Sequence, residues 1–174
     1  MKYWIGKPEH SMVYPAIPVW DEEANGEDLS LADWTQWPES SAAQFRVRGH
    51  DLTVYPDLML GELLLVSDSV HELLRFYMPQ LFSRMALLRD LDRMEQRLYW
   101  LVQPPLVDGI GTRSEWQLGG GLQKLVVNQQ GMQQQPLARL RGLREPYLIV
   151  ELALAESMLR RGFIGMQLEE AELQ

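Results

Sequence analysis

Three histidines, His10, His50 and His71, are the side chains best suited to metal or acid–base chemistry. No two of them share the i, i+3 or i+4 spacing that sets two ligands on one helix face. "GTRSEW" (Gly111–Trp116) gathers Arg113, Ser114 and Glu115, a set able to meet an anion, but it reads better as a solvated turn. "LGGGLQKL" lacks the Gly-Lys-Ser/Thr ending that cradles phosphate and does not fit the dinucleotide fingerprint, which leaves a flexible turn. No Gly-x-Ser-x-Gly elbow is present to expose a serine. Cysteine is absent, which excludes disulfides, thiolate metal sites and cysteine nucleophiles together. The close carboxylates Asp90 and Asp92 fall in a turn, and Glu169 and Glu170 near the end of the chain, where solvation is expected. We therefore expect no catalytic residue, no metal site and no cofactor.

Charge points toward a partner instead. The net charge of −8 argues against tracking phosphates, so no nucleic acid is expected. Residues 1–70 hold 4 Lys/Arg against 12 Asp/Glu, and residues 71–174 hold 12 against 12. All the excess negative charge thus lies in the first two-fifths of the chain. A field of one sign steers a cationic partner and speeds encounter. That acidic part also holds four prolines within residues 6–41 and the aromatic residues Tyr14, Trp20, Trp34 and Trp37. Tryptophan is enriched at interface hot spots. Trp34 and Trp37 are therefore the candidate anchors, with Asp21, Glu22, Glu23, Asp33 and Glu39 as a candidate electrostatic rim. The bland alternative is that the rings plug the core beneath a long loop.

The elements that must position these residues follow from periodicity. "KYWI" reads as a strand stopped at Gly6, and "LSLADWTQW" as a short helix capped by Ser30. "FRVRGHDLTVY" alternates on both sides of Gly49 and His50, as two strands or one bent strand. "ELLLV" is a buried-strand run. Val70, Leu73, Leu74 and Tyr77 then give a helical stripe, with Ser69 and Glu72 as a capping pair and Pro79 beyond. "RMALLRD" and "RLYWLVQ" read as paired strands, "LQKLVVN" and "LARLRG" as further strands joined by the glutamine-rich "QQGMQQQP". The closing "PYLIVELALAESMLRRGFIGMQLEE" gives a strand, a helix ended by Arg160, Arg161 and Gly162, and a last strand.

A shift of 84 places Leu64, Leu65, Val66, Val70, Glu72 and Leu74 on Leu148, Ile149, Val150, Leu154, Glu156 and Met158, all identical or apolar swaps. "MAL" (Met85–Leu87) answers "MQL" (Met166–Leu168) after a slippage. The strand–helix–strand unit thus occurs twice, a candidate duplication. The expected fold is α+β: one domain over 1–174, a mixed or antiparallel sheet and a few short helices. Within it, 1–60 is acidic and loop-rich, and 61–174 carries the two units. No apolar run approaches the roughly 18 residues of a membrane span, and no basic-then-apolar leader opens the chain, so a cytoplasmic location is expected.

Four segments resemble a known family: "MKYWIGKPE", "LLLVSDSVHELL", "YWLVQPPLVDGI" and "LARLRG…PYLIVELALAESMLRRGFIGMQLEE". They look like the eleventh-numbered family of immunity proteins in bacterial polymorphic toxin systems, long catalogued as a domain of unknown function. The likeness covers both ends and about two-thirds of the chain, in order. One departure is Glu151, a weaker N-cap than the serine the family tends to place before the last helix. The resemblance implies a non-enzymatic immunity protein that occludes a cognate toxin domain, delivered by a contact-dependent or type VI-like system. With the acidic segment it implies a basic toxin surface. No binding motif transfers by position. An adaptor or chaperone for a secreted effector, or a small enzyme of unrecognised type, are the alternatives.

Overall fold

A computed structural model describes residues 1–26 and 34–174 in full, and residues 31–33 by backbone alone. The first half runs β1 (Tyr3–Pro8), β2 (Val19–Trp20), α1 (Glu22–Asn25), a 3-10 turn (Leu31–Gln36), β3 (Ala43–Arg46) and β4 (Leu58–Leu60). β5 (Leu64–Val66), α2 (Asp68–Tyr77), β6 (Phe82–Asp90) and β7 (Glu95–Gln103) follow. Then come β8 (Leu106–Val107), β9 (Glu115–Trp116), β10 (Leu122–Lys124), β11 (Val126–Val127) and β12 (Leu137–Leu140). β13 (Leu148–Glu151), α3 (Leu152–Arg161), β14 (Met166–Glu170) and β15 (Glu172–Leu173) close the chain. The fold is α+β, with mixed and antiparallel sheets. Among the described residues, no helix is long and apolar enough to cross a membrane.

Packing groups the chain differently from its charge. One compact unit comprises Met1–Glu9, Leu60–Glu62 and Pro104–Gln174, and the other His10–Met59 and Leu63–Gln103. The first holds a sheet in the order β14-β1-β13-β12-β8. The second holds a sheet in the order β2-β3-β6-β7-β5-β4. Tyr3, Ile5, Ile149 and Leu140 are core residues of the first. Phe45, Leu65, Leu88, Tyr99 and Leu101 are core residues of the second.

Local chemistry explains the helices. Ser67 caps α2 by accepting the Val70 N–H, and its own hydroxyl donates to Asp57 at 2.8 Å. The cap is thus Ser67 rather than Ser69, which lies inside the helix. Val70, Leu73 and Leu74 are buried, each stabilising by about 1.5–3 kcal/mol relative to exposure. α3 begins at Glu151 with no side-chain cap bond, the weak start its sequence implied. It ends at Arg160, Arg161 and Gly162, whose φ of 66° is the left-handed geometry that favours glycine.

Several expected strands change. β1 does not stop at Gly6 but runs on to Pro8, because β14 pairs along it to Pro8↔Met166. Gly6 suits that closeness, since a Cβ there would run into the Met166 side chain. Past β3, "DLTVY" makes only the isolated bridge Pro15↔Val54 instead of a strand. "LADWTQ" forms a 3-10 turn, and its expected cap, Ser30, lies outside the described residues.

The register gives the repeat a physical basis. β7 lies between β5 and β6, antiparallel to both, and β1 lies between β13 and β14 in the same way. Leu65 pairs with Leu101 and Val66 with Trp100; Ile149 pairs with Ile5 and Val150 with Trp4. Trp4 therefore stands where Trp100 stands, and Ile5 where Leu101 stands. The helices superpose at the same shift of 84, Asp68–Tyr77 on Leu152–Arg161. Only the third strand moves: Met85 faces Trp100 and Glu170 faces Trp4, so Met85 answers Glu170 and not Met166. Each module is thus a helix over a three-strand core whose middle strand differs in origin. In the second unit that strand follows directly; in the first it comes from the far end of the sequence.

Candidate functional site

Part of the acidic segment is engaged in holding itself in place. Asp21 is 3% exposed; one carboxylate oxygen accepts the Ala24 N–H at 3.1 Å and caps α1, and the other meets Arg46 Nε at 2.8 Å. The Arg46 guanidinium holds the Asp21 carboxyl below the usual carboxylate range. Glu23 takes Arg46 Nη2 at 2.9 Å. Asn25 continues the join by donating to the Asp21 and Gln44 carbonyls and accepting the Gln44 N–H. Glu22 and Glu39 are exposed and make no ion pair among the described residues. The side chain of Asp33 lies outside the described residues.

The two candidate anchors are core residues. Trp34 and Trp37 are 7% and 5% exposed. Trp34 packs on Phe82 at 5.5 Å between ring centroids and Trp37 on Trp20 at 5.4 Å, within the cluster around Phe45, Leu88 and Leu101. The physical reason is coverage. α2 packs on one face of the second unit's sheet, and the proline-broken segment supplies the rings that bury the other. The structure thus places Trp34 and Trp37 in the framework of the second unit and not on an open surface.

Other sequence candidates are structural too. Asp90 is buried, accepting the Gly49 and Arg93 N–H groups, rather than solvated. The Ser114 hydroxyl bonds both the N–H and the carbonyl of Val126 at 3.0 Å, which ties the "GTRSEW" turn down. Among the described residues no three His, Asp or Glu side chains gather as metal ligands would.

What the sequence reading missed is the outer face of the second unit's sheet. Strand alternation puts Ala86, Leu88, Tyr99 and Leu101 on the core side and Ser83, Met85, Leu87, Leu98 and Trp100 on the other. α2 covers the end of that outer face at Ser83 and Trp100. Beyond it Met85 and Leu98 are each 42% exposed and Leu87 is half-buried. At the sheet's edge a groove of about 720 Å³ follows, lined by Ile17, Val19, Trp20, Glu22, Glu23 and Arg46 among others. The equivalent of Met85 in the first unit is Glu170, so the framework folds without an apolar residue at that place.

The same comparison isolates a polar cluster. His71 is buried, stacks on Trp100 at 4.0 Å, and bonds the Ser83 hydroxyl at 2.9 Å. The Trp100 indole N–H donates to Asp68 at 2.7 Å. In the first unit these places hold Leu152, Ala155 and Leu168, and the buried Trp4 indole N–H has no acceptor among the described residues. Burial first, then the Arg75 charge, lowers the His71 pKa, with Asp68 opposing. The folded chain therefore resists a proton that the unfolded chain accepts below about pH 6.5. Stability contributed by neutral His71 is present above that pH and falls as pH drops toward the lowered folded value. His71→Gln, which retains a partner for Ser83, is expected to flatten this slope. Urea midpoints of both proteins from about pH 7.5 to pH 5 check it, and parallel curves would refute it.

No protein-family model matches the chain, and no curated protein matches it. The family resemblance therefore rests on the four quoted segments.

Proposed function

We propose that the chain is an immunity protein that binds a cognate toxin domain and neutralises it by covering its active site or an essential surface. The observation that supports binding is the apolar outer face at Met85, Leu87 and Leu98, in a framework whose other copy carries a charge instead. The immunity role itself draws on the resemblance of the four segments. Glu22 lines the edge groove of the same unit, apart from Arg89, and there supplies a rim for basic residues of the partner beyond the apolar face.

Co-expression with the toxin domain of the adjacent reading frame is the direct test. Wild-type chain is expected to restore growth. Met85→Glu with Leu98→Glu is expected to abolish protection and weaken binding at least about tenfold, with thermal stability unchanged. Leu118→Glu, fully exposed on the first unit, is expected to protect normally. A chain that altered secretion of the effector without protecting cells would be an adaptor instead.

A further inference from the structure

We infer that the occupant of the outer face is an amphipathic helix of the partner protein, its apolar ridge on Met85, Leu87 and Leu98 and its acidic flank toward Arg89. This rests on the partner-binding reading and specifies what it binds. The first argument is space. From β7 across β6 to β3 the face spans two inter-strand distances, about 9–10 Å, which is close to the roughly 10 Å diameter of a helix with its side chains. α2 already shows that this face accepts a helix, since its buried side packs on β7 beside the open stretch. A second helix laid next to it would complete the layer that the described residues leave half built.

The second argument is charge. By alternation the open stretch presents Gln44 and Arg46 from β3, and Arg89 beside the apolar residues of β6 and β7, with no carboxylate on those strand positions. Arg46 is taken by Asp21 and Glu23. Arg89 hydrogen-bonds the Gln44 side chain at 3.4 Å and feels the Asp21 carboxylate at longer range, but forms no ion pair among the described residues. A partner helix that sets a glutamate over Arg89 gains a charge-assisted bond, and one that sets a lysine there meets repulsion.

The third argument is the internal comparison. In the first unit Glu170 occupies the Met85 place, and Lys2 precedes β1 where Leu98 precedes Tyr99 and Trp100. A helix-shaped apolar strip is therefore particular to the second unit and not a requirement of the module.

The test uses the full chain and an acetylated peptide of about 15 residues, with leucines at i, i+3, i+4, i+7 and i+11 and glutamates on both flanks. A twin peptide carries lysine in place of glutamate. Amide shifts in NMR are expected at Met85, Leu87, Leu98 and Arg89, with the glutamate peptide bound roughly threefold or more tighter than its twin. Arg89→Glu is expected to reverse that preference, and Met85→Glu to abolish both interactions. Equal or tighter binding of the lysine twin, shifts confined to other residues, or no binding of either peptide would overturn the inference. So would a concentration-dependent dimer abolished by Met85→Glu, which would assign the face to a second copy. If the peptides fail while Met85→Glu still destroys protection against the toxin, the immunity reading stands and the helix inference falls. If the peptides bind and the toxin is not neutralised, the reverse holds.

Discussion

A chain lacking residues 1–8 is expected to lose the cooperative unfolding of the first unit, with hydrogen exchange in β13 and α3 rising toward the rate of free amides. β1 is hydrogen-bonded along both edges, to β13 from Tyr3↔Glu151 to Gly6↔Leu148 and to β14 from Trp4↔Glu170 to Pro8↔Met166. Its removal would leave two inner edges open and strip the cover from Leu148, Ile149 and Val150, all of them buried. Tyr3 and Ile5 are themselves buried, and their burial alone stabilises by about 3–6 kcal/mol together. Whole domains are stable by only about 5–15 kcal/mol, so this loss and that of two hydrogen-bond ladders exceed what such a unit can bear. Adding a synthetic peptide of residues 1–9 is expected to restore protection from exchange. Native-like protection in the truncated chain, with no peptide added, would show that β13 and β14 close on each other.

Trp37→Ala is expected to destabilise the second unit by about 3–5 kcal/mol, the range for removing a large buried ring. The ring is 5% exposed and packs on Trp20, and the carbonyl of the same residue accepts a hydrogen bond from Arg84 at 3.0 Å. The backbone bond survives the substitution, so the loss isolates the side chain. Urea unfolding followed by circular dichroism measures it, and Trp37→Phe should show a smaller drop. Partner binding by the fraction that stays folded should match wild type. A variant with an unchanged midpoint and weakened binding would return the ring to its first reading, as an anchor.

The sequence carried the modules better than their assembly. Helical spacing at Val70, Leu73 and Leu74, and at Leu154 and Met158, located α2 and α3, and the shift of 84 between them holds residue for residue in the paired strands. Strand runs at Arg84–Asp90 and Arg97–Gln103 were equally plain, because each side chain alternates between a core and an open face. The middle strand of the first module was not legible, since pairing across the chain leaves no local trace. Its one echo is "YWI" at Tyr3–Ile5 against "YWL" at Tyr99–Leu101, which gains meaning only once the register is known.

The placement of the acidic, tryptophan-bearing segment was less legible, for a related reason. Acidic residues and tryptophans in a proline-rich loop look the same whether the loop faces solvent or closes a sheet. Arg46, distant in sequence, decides that Asp21 and Glu23 are spent on an internal bond. The uncovered Met85 and Leu98 showed no signal as single residues, because an apolar residue in a strand is ordinary until its twin proves to be a glutamate.

The central place of β1 also sets an order of events during synthesis. β14 lies about 160 residues after β1, so at ordinary translation rates of roughly 5–20 residues per second the first strand waits on the order of ten to thirty seconds for its second neighbour. Every residue of the second unit emerges within that interval. The nascent chain thus carries an apolar strand with two unpaired edges past a finished neighbour, and a holding chaperone would find its target at residues 3–8.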